Sequence, residues 1–476
     1  MKPPQGKGAR LTEGPVSKAI FSLMLPMMLG MLAIVVNNVA GAFFVARVST
    51  EQLAAISFTF PVSFIVGAIA MSLGVGTSSV VSRLFGSGNR DEVKRITAHA
   101  MLLGVICGVV VLVIGLNTID PLFRLLGANE KVLPFIHRYM QIYYWGGIFL
   151  VAPMIANSVL RASGDAKRPA MIMTTAAVLN VIIDPILIFG LFGFPRMEIE
   201  GAALGGVLAN ALTMCASAYF VMYRERLVDF GNLALDQLAD SWRRILHVGL
   251  PSLTSSLVAP VTTAFITSQI ATFGPESVAG FGMASRLEGL TILAMMALSA
   301  AMTPFVGQNF GAKRLDRVRE GVNFAYRFSL MYGIGVAVFM QLFGGLITDL
   351  FGLEGQAKDT ALLQMHIVPL SYMALGCAMT VNGALNALGK PMAAMWVSMS
   401  RTIAVYAPLA WVLSQFFGII GIFIAAASAN FISGGIGALW FRFALRDTMA
   451  RQPPNPPAAT STETKAVEPG TAGQRA

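Results

Sequence analysis

Charged residues are scarce in this sequence. Asp, Glu, Lys and Arg make up 12% of the 476 residues, whereas hydrophobic residues make up 55%. Soluble domains carry about 25% charged residues, so the composition excludes an ordinary water-soluble protein of this length. Apolar runs of about 18 or more residues recur along the chain, and each can cross a bilayer as a helix. The sequence therefore predicts a polytopic membrane protein.

Nucleotide-binding and metal-binding motifs are also missing. The sequence has no GxxxxGK[ST] loop and no HExxH pair, which are typical of nucleotide hydrolysis and of zinc proteases. The three cysteines form no CxxC pair and are interpreted as packing residues, and the four histidines are scattered. These residues are Cys107, Cys215, Cys377, His99, His137, His247 and His366. We expect no cofactor and no metal, and an ion gradient or the substrate's own gradient as the energy source.

Twelve apolar segments are predicted to span the membrane as helices, since helices satisfy their own backbone polar groups. Their limits are 19–46, 53–81, 96–117, 133–158, 170–193, 201–223, 244–272, 277–306, 321–347, 361–386, 392–416 and 419–443. With the N-terminus in the cytoplasm, 25 Lys and Arg residues lie in cytoplasmic segments and 6 on the other side. This excess predicts that both termini are cytoplasmic. It also accounts for the net charge of +10, so no nucleic-acid partner is expected.

An internal repeat divides the chain. An offset of 225 residues pairs Pro26 with Pro251, STEQLAAI (49–56) with GPESVAGF (274–281), and Asn157 with Asn382. Because each copy holds an even number of spans, both copies insert with the same orientation, as parallel repeats. We predict an all-α membrane fold of two six-helix lobes around a central cavity. The predicted domains are a cytoplasmic N-terminal segment (1–18), an N-lobe (19–223), a cytoplasmic linker (224–243), a C-lobe (244–445) and a disordered cytoplasmic tail (446–476).

One carboxylate lies deep inside an apolar span. Asp184 belongs to VLNVIIDPILIFG (178–190), and a carboxylate at this depth costs at least about 2.5–3.5 kcal/mol on insertion scales. Asn180, four residues earlier, shares its helical face. Pro185 cannot donate to the carbonyl of Val181, so that carbonyl is freed and a kink is expected. A carboxylate, an amide and a free carbonyl suit a proton or a small cation. The alternative is a buried Asp that only bonds its neighbours.

Other polar residues extend the candidate site. Asn157 in the fourth span and Asn37 with Asn38 in the first are candidates to complete the shell around Asp184, or to join helices by hydrogen bonds. The C-lobe has a separate candidate cluster. Its members are Arg286, Glu288, Arg401 and Tyr406. We interpret Glu288 and Arg401 as a structural ion pair, with contact to a substrate as the alternative.

Five motifs carry a resemblance. They are LPMMLGMLAIVVNNVAGAFFVAR in the first span, NSVLRASGDAKRPAM at the turn between spans four and five, LNVIIDPILIFG in span five, GAALG in span six and SRLEGL in span eight. The chain from about residue 15 to 445 resembles the multidrug and toxic compound extrusion (MATE) family, closest to its DinF-like branch. The resemblance implies export of cationic or amphipathic compounds driven by H⁺ or Na⁺. It also implies a cation site in the N-lobe at Asn180, Asp184 and Asn157.

The first span departs from the family's pattern. The family often has an Asp in a pattern N-x-x-D-x-x-x-x-G-R. Here Asn38 and Arg47 fit that pattern, and Gly41 holds the place of the acid. Asp184 then lacks a carboxylate partner, which favours H⁺ over Na⁺ as the coupling ion. Candidates for the N-lobe cavity are Asn37, Asn38, Gly41, Pro26 and Pro185.

Together these features predict a secondary active antiporter that exports small organic, drug-like compounds in exchange for protons by alternating access. We expect a monomer in a bacterial cytoplasmic (inner) membrane, whose partners are organic substrates and membrane lipids. A flippase for lipid-linked precursors shares the fold and is the alternative. It would need a strongly basic cavity, and only Arg286, Arg401 and Arg327 are available inside. A membrane-embedded enzyme would need a His/Asp/Glu or Ser/His grouping at one depth, and none is visible.

Overall fold

The computed structural model describes residues 10–228 and 234–451, which are mostly helical and contain no strand. The α-helices of this part are α1 (Val16–Ala46), α2 (Thr50–Ser87), α3 (Arg90–Leu125), α4 (Leu133–Trp145), α5 (Gly147–Ala162), α6 (Lys167–Phe189), α7 (Glu198–Ala218), α8 (Leu238–Ala271), α9 (Pro275–Thr291), α10 (Leu293–Gly311), α11 (Leu315–Leu350), α12 (Gly355–Ile367), α13 (Tyr372–Ala387), α14 (Pro391–Met399) and α15 (Ala407–Arg451). Short 3₁₀ turns cover Leu191–Gly193, Leu235–Gln237 and Val368–Ser371, and π-helical turns cover Tyr219–Arg224 and Ser400–Tyr406.

These helices make twelve membrane crossings. Within the two described ranges, nine helices are long and apolar enough to cross a bilayer, and the bent pairs α4–α5 and α9–α10 add two. The helical stretch Pro391–Ala450 has 60 residues, roughly 90 Å of helix, which is about three times the apolar thickness of a bilayer. Gly418 divides this stretch into two crossings, with φ 58° and ψ −142°. The predicted twelve-helix fold is confirmed.

Some predicted spans are bent. α4 and α5 meet at 46° around Gly146, and α9 and α10 meet at 40°. Glycine is needed at the first bend, because a β-carbon at Gly146 would lie 2.3 Å from Cγ2 of Val207 in α7. The 225-residue offset carries Gly146 to Ser371, which lies in the 3₁₀ turn that interrupts the tenth crossing. An interruption at this position is therefore a feature of both repeats.

The two lobes meet where α2 crosses α10, its equivalent in the second repeat. A β-carbon at Gly86 would lie 2.0 Å from the carbonyl oxygen of Gln308, and one at Gly311 would lie 2.0 Å from that of Arg83. The offset of 225 relates Gly86 to Gly311 and Arg83 to Gln308, so the two contacts are reciprocal. Reciprocal contacts are the property of a two-fold axis. They agree with parallel repeats about an axis along the membrane normal.

Apolar packing fills each lobe and also joins the two. Buried side chains of α2, α3 and α5 form a core in the N-lobe, and those of α8, α13 and α15 form one in the C-lobe. A third cluster joins the lobes, in which Ile20 and Leu23 of α1 pack with Phe305 of α10 and Val318 of α11. The start of α1 is therefore held between the lobes.

The helices extend beyond several predicted domain limits. α1 begins at Val16, inside the predicted N-terminal segment, α8 begins at Leu238, inside the predicted linker, and α15 continues to Arg451. The rest of the predicted tail (452–476), residues 1–9 and residues 229–233 lie outside the described residues. The domain limits and the orientation in the membrane stay predictions.

Candidate functional site

Asp184 and Asn180 lie one turn apart on α6 and form a buried polar pair. Their exposed fractions are 4% and 5%. Nδ2 of Asn180 donates a hydrogen bond of 2.6 Å to Oδ1 of Asp184, as their spacing on one helical face allows. α6 is continuous through Pro185, and the kink expected there stays a prediction. Among the described residues, the Asn180 amide is the one hydrogen-bond donor to this carboxylate.

Two glycines border the Asp184 carboxylate. A β-carbon at Gly41 of α1 would lie 3.7 Å from Oδ2, and one at Gly205 of α7 would lie 2.2 Å from Oδ1. Three helices therefore enclose the acid, and two of them approach it closely because they carry no side chain at that point. We call Asp184, Asn180, Gly41 and Gly205 the Asp184 cluster. Its only carboxylate belongs to Asp184.

Further polar groups lie near the cluster. Asn37 is one turn before Gly41 on α1, and its Oδ1 atom is buried with no hydrogen-bond partner in the described part of the chain. Tyr139 of α4 lies within electrostatic range of Asp184 and stacks on Tyr143, with the ring centroids 6.3 Å apart. Sequence reasoning did not single out Tyr139 or Gly205. The motif GAALG ends at Gly205 and is the one signal that pointed there.

Of the remaining N-lobe candidates, Asn157 and Pro26 lie away from the Asp184 cluster. Oδ1 of Asn157 accepts a 3.0 Å hydrogen bond from Ser217, which is twelve residues, about 18 Å of helix, beyond Gly205 on α7. Asn38 is exposed, and Pro26 is about 22 Å of helix before Gly41 on α1. This geometry joins Asn180, Gly41 and Gly205 to Asp184, and places Asn157 in a separate contact between α5 and α7.

The C-lobe contains a cavity of about 660 Å³, lined by residues between Ser252 and Ser433. Glu288, Arg401 and Tyr406 line it, as do Gln364 and Asn430. Arg286 does not line the cavity. It is exposed, because two helical positions separate it from Glu288 and turn it to another face of α9. The candidate C-lobe cluster is therefore corrected to Glu288, Arg401 and Tyr406, with Gln364 and Asn430 added.

The ion pair that we expected between Glu288 and Arg401 does not form. The two groups interact electrostatically but are not within 4.0 Å, because α9 carries Glu288 and the π-helical turn Ser400–Tyr406 carries Arg401. Oε2 of Glu288 instead accepts a 2.9 Å hydrogen bond from Nε2 of Gln364. Nη1 of Arg401 donates to Oδ1 of Asn430 at 3.4 Å, and Asn430 donates to Ser371 at 2.9 Å. Both charges therefore face the cavity through separate networks.

Metal ligands are not assembled in the described ranges. No group of three or more His, Cys, Asp or Glu side chains lies close enough there to hold a metal ion. Cys107, Cys215 and Cys377 are free thiols. The Asp184 cluster contains a carboxylate and an amide, and the C-lobe cavity is lined by a carboxylate, a guanidinium and amides.

The repeat is also visible in comparisons with known proteins. The family model MatE matches residues 26–186 and, again, residues 251–412. The chain belongs to the MATE family. It is accordingly a multi-pass membrane transporter and not an enzyme. Assignment of this MATE transporter to the DinF-like branch stays a prediction.

Relatives of this MATE transporter cover nearly its whole length. It is 34% identical over 424 residues to the FAD transporter of Shewanella oneidensis, covering 89% of this chain and 94% of that protein. It is 25% identical over 448 residues to the multidrug export protein MepA of Staphylococcus aureus, covering 92% and 96%. Both relatives are named as carriers of small molecules.

Solved structures have the same architecture. The crystal structure of the Vibrio cholerae MATE transporter VcmN in the bent form superposes with a TM-score of 0.87 at 29% identity, covering 94% of this chain and 99% of that one. An outward-facing multidrug resistance MATE family transporter superposes with a TM-score of 0.87 at 27% identity, covering 94% and 100%. These matches and the two copies of the family model agree on the two-lobe fold.

Proposed function

We propose that this protein is a secondary active antiporter that exports small organic compounds in exchange for protons, by rocking of its two lobes. One observation carries the proposal, namely the buried Asp184 carboxylate, which has a single hydrogen-bond donor among the described residues. An ionised carboxylate in an apolar interior is costly, so proton uptake there is favourable. Asp184 is the group to which we assign proton loading from outside and release to the cytoplasm, across a bacterial inner membrane with both termini cytoplasmic.

The surroundings of Asp184 support H⁺ over Na⁺. The Asp184 cluster contains one carboxylate, and its amide presents a donor, Nδ2 of Asn180, toward that carboxylate. A donor in this position turns its positive end toward the place that a metal cation would occupy beside Oδ1. Gly41 leaves the other carboxylate oxygen without a second acid beside it. Na⁺ would need further oxygen ligands, and Asn37 Oδ1 is the nearby candidate.

Proton binding is coupled to movement through the helices that enclose Asp184. Protonation changes the bond to Asn180 and removes a negative charge from between α1, α6 and α7. α1 also packs into the cluster that joins the lobes, through Ile20 and Leu23. A change in the packing of α1 on α6 therefore reaches the contact between the lobes. We assign to α1 the two-state element that a protonation switch requires.

The substrate class has two candidates. Relatives named as multidrug export proteins support cationic or amphipathic drug-like compounds. A hydroxylated anion such as FAD is the second candidate, because the relative at 34% identity is named as a FAD transporter and Arg401 lines the C-lobe cavity. A lipid-linked precursor flippase remains the alternative function. The C-lobe cavity is lined by one arginine, Arg401, whereas a flippase for lipid-linked precursors would need a strongly basic cavity. The flippase alternative therefore has little support.

The decisive test is efflux of a fluorescent drug from proteoliposomes under an imposed pH gradient without Na⁺. Asp184→Asn keeps the size and hydrogen bonding of the side chain, so the protein should fold and lose efflux. Asp120→Asn is the control, since Asp120 is exposed at the end of α3 beside His137. Asn180→Ala should weaken efflux less, and Glu288→Gln should be milder than Asp184→Asn. Equal efflux by wild type and Asp184→Asn would refute the coupling role of Asp184.

A further inference from the structure

The C-lobe cavity has the size and lining of a small-molecule site. Its volume of about 660 Å³ falls within the range of roughly 300–1,000 Å³ found for ligand pockets. Hydroxyl and amide side chains of α8, α13, α14 and α15 alternate there with Phe281, Phe423 and methionines. An inference about its occupant rests on the proposed function, because it names a substrate class for that transporter.

Most N–H donors of Arg401 have no acceptor among the described residues. A guanidinium has five N–H donors, and within the described residues Arg401 uses one of them, in the 3.4 Å contact with Asn430. It forms no ion pair there within 4.0 Å. Glu288 differs, since Gln364 donates to its carboxylate and the Tyr372 hydroxyl also faces it. Of the two charged side chains that line the cavity, Arg401 therefore has more hydrogen-bonding groups without a partner among the described residues.

The cavity also offers acceptors that have no donor. Gln364 Oε1, Asn382 Oδ1 and Asn386 Oδ1 are buried and have no hydrogen-bond partner among the described residues. All three side chains line the cavity. These oxygens are themselves shielded from solvent, so a turn of each amide side chain would bring them to hydroxyl or amino groups of a ligand. An acceptor without a donor is costly to bury, which favours that turn when a ligand is bound. A single ligand with an anionic group and several donors would give hydrogen-bond partners both to Arg401 and to these three oxygens.

We propose that the C-lobe cavity binds an organic anion that carries hydroxyl or amino groups. Its phosphate or carboxylate accepts hydrogen bonds from Arg401, for which the planar guanidinium is well shaped. Its hydroxyl or amino groups donate to Gln364, Asn382 and Asn386, and its apolar part lies against the phenylalanines. A soluble metabolite and a lipid head group both have this chemistry.

Riboflavin and riboflavin 5′-phosphate (FMN) provide a matched pair of probes, since they differ in a phosphate and both fluoresce. We would measure their affinities for the full-length protein in phosphatidylcholine nanodiscs, without any gradient. Wild type should bind FMN about tenfold or more tightly than riboflavin, as expected for a hydrogen-bonded charged group. Arg401→Gln should abolish that preference, and Arg401→Lys should keep part of it. Arg286→Gln, which changes an exposed arginine of the same lobe, should bind like wild type.

Asn386→Asp is a second variant that does not alter Arg401. It adds a carboxylate of the same size to the cavity, so it should weaken FMN binding more than riboflavin binding. FMN bound no more tightly than riboflavin by wild type, or an unchanged preference in Arg401→Gln, would overturn the proposal. If a lipid head group is the natural anion, phosphatidylglycerol in the nanodisc should compete with FMN. A soluble anion predicts equal FMN affinity in both lipids.

This binding test is independent of proton coupling. Asp184→Asn should keep the wild-type preference for FMN over riboflavin, because Asp184 lies in the other lobe and both probes sense the same change in lobe position. Failure of the anion proposal would leave pH-driven efflux intact, whereas failure of the coupling proposal would leave FMN binding intact.

Discussion

At the scale of single residues, the Asp184 cluster depends on the missing side chain at Gly205. A methyl group there would lie 2.2 Å from Oδ1 of Asp184 and 3.2 Å from Nδ2 of Asn180, so Gly205→Ala displaces α7 or the acid. Overpacking of this kind costs about 1–3 kcal/mol. We expect pH-driven efflux to fall about tenfold, since about 1.4 kcal/mol corresponds to that factor.

Gly206→Ala is the matched control for Gly205→Ala. A β-carbon at Gly206 meets no atom within 4 Å, although the two glycines are neighbours on α7. Efflux by Gly206→Ala should equal that of wild type in the same proteoliposome assay. An equal loss in both variants would mean that α7 tolerates no alanine here, and contact with Asp184 would not be the cause.

Gly41 is the position at which the coupling ion can be changed. A β-carbon at Gly41 lies 3.7 Å from Oδ2 of Asp184, so Gly41→Asp brings a second carboxylate into the same apolar site. Two carboxylates there strongly disfavour double ionisation without a cation. We expect Gly41→Asp to gain efflux driven by a Na⁺ gradient, and the proposed proton coupling predicts none in wild type. Gly41→Asn has the same size without the charge and should gain none, and a Na⁺ response in Gly41→Asn would contradict this account.

Residues on one helix were predictable, and contacts between helices were not. The i, i+4 spacing predicted the pair Asn180–Asp184, and the structure contains it. Tyr139 and Gly205 belong to other helices, and a single sequence does not show which residues of different helices lie close together. The same limit explains Glu288 and Arg401: opposite charges suggested an ion pair, but the cavity walls hold them apart.

At the scale of elements, the reciprocal contacts where α2 crosses α10 predict that two glycine substitutions lower the stability equally. Gly86→Ala and Gly311→Ala each place a β-carbon 2.0 Å from a carbonyl oxygen of the other helix, at positions related by the repeat. We expect both to lower the stability of the purified protein by similar amounts, about 1–3 kcal/mol for overpacking. Thermal unfolding in detergent measures this.

Gly67→Ala is the control for the α2–α10 crossing. Gly67 lies on the same helix as Gly86, and a β-carbon there meets no atom within 4 Å. Its unfolding temperature should match that of wild type. A large loss for Gly86→Ala with none for Gly311→Ala would argue against reciprocal contacts about a two-fold axis.

The number of membrane-spanning helices was predictable from the sequence, whereas their bends were not. Apolar length predicted all twelve crossings, and the repeat predicted matching turns. Gly164 and Gly389, related by the offset of 225, both have positive φ, 90° and 74°. The bend at Gly146 and the π-helical turn Ser400–Tyr406 were not predicted. The bend at Gly146 depends on a contact with Val207 of the neighbouring α7, and apolar composition does not show which helices are neighbours.

At the scale of the whole molecule, the segment before α1 ties the lobes together at their predicted cytoplasmic side. Gln308 of α10 is fully buried, and its Oε1 atom accepts a hydrogen bond from the backbone of Leu11 at 3.1 Å. Its Nε2 atom donates to the carbonyl of Ala162, at the end of α5, at 2.7 Å. One side chain of the C-lobe thus bonds two elements that precede it on the N-lobe side.

Two arginines of the C-lobe also bind the segment before α1. Arg317 of α11 has 8% of its surface exposed, and its guanidinium donates to the carbonyls of Leu11, Glu13 and Gly14. Arg314 donates to the carbonyl of Thr12 at 2.7 Å. On the proposed rocking of the lobes, opening toward the cytoplasm would separate Gln308 from Ala162. It would also separate Ser79 of α2 from the carbonyl of Asn386, which Ser79 contacts at 2.5 Å.

Gln308→Ala should therefore favour the state that is open to the cytoplasm. It removes both hydrogen bonds and leaves buried backbone groups without partners, at about 1–3 kcal/mol. In a variant without native cysteines, we expect Ser79→Cys, which is fully buried when closed, to react with an impermeant maleimide roughly tenfold faster in inside-out vesicles after Gln308→Ala. Gln341→Ala is the control, since its bond to His366 lies within the C-lobe. Equal labelling rates with and without Gln308→Ala would mean that this tie does not hold the lobes closed.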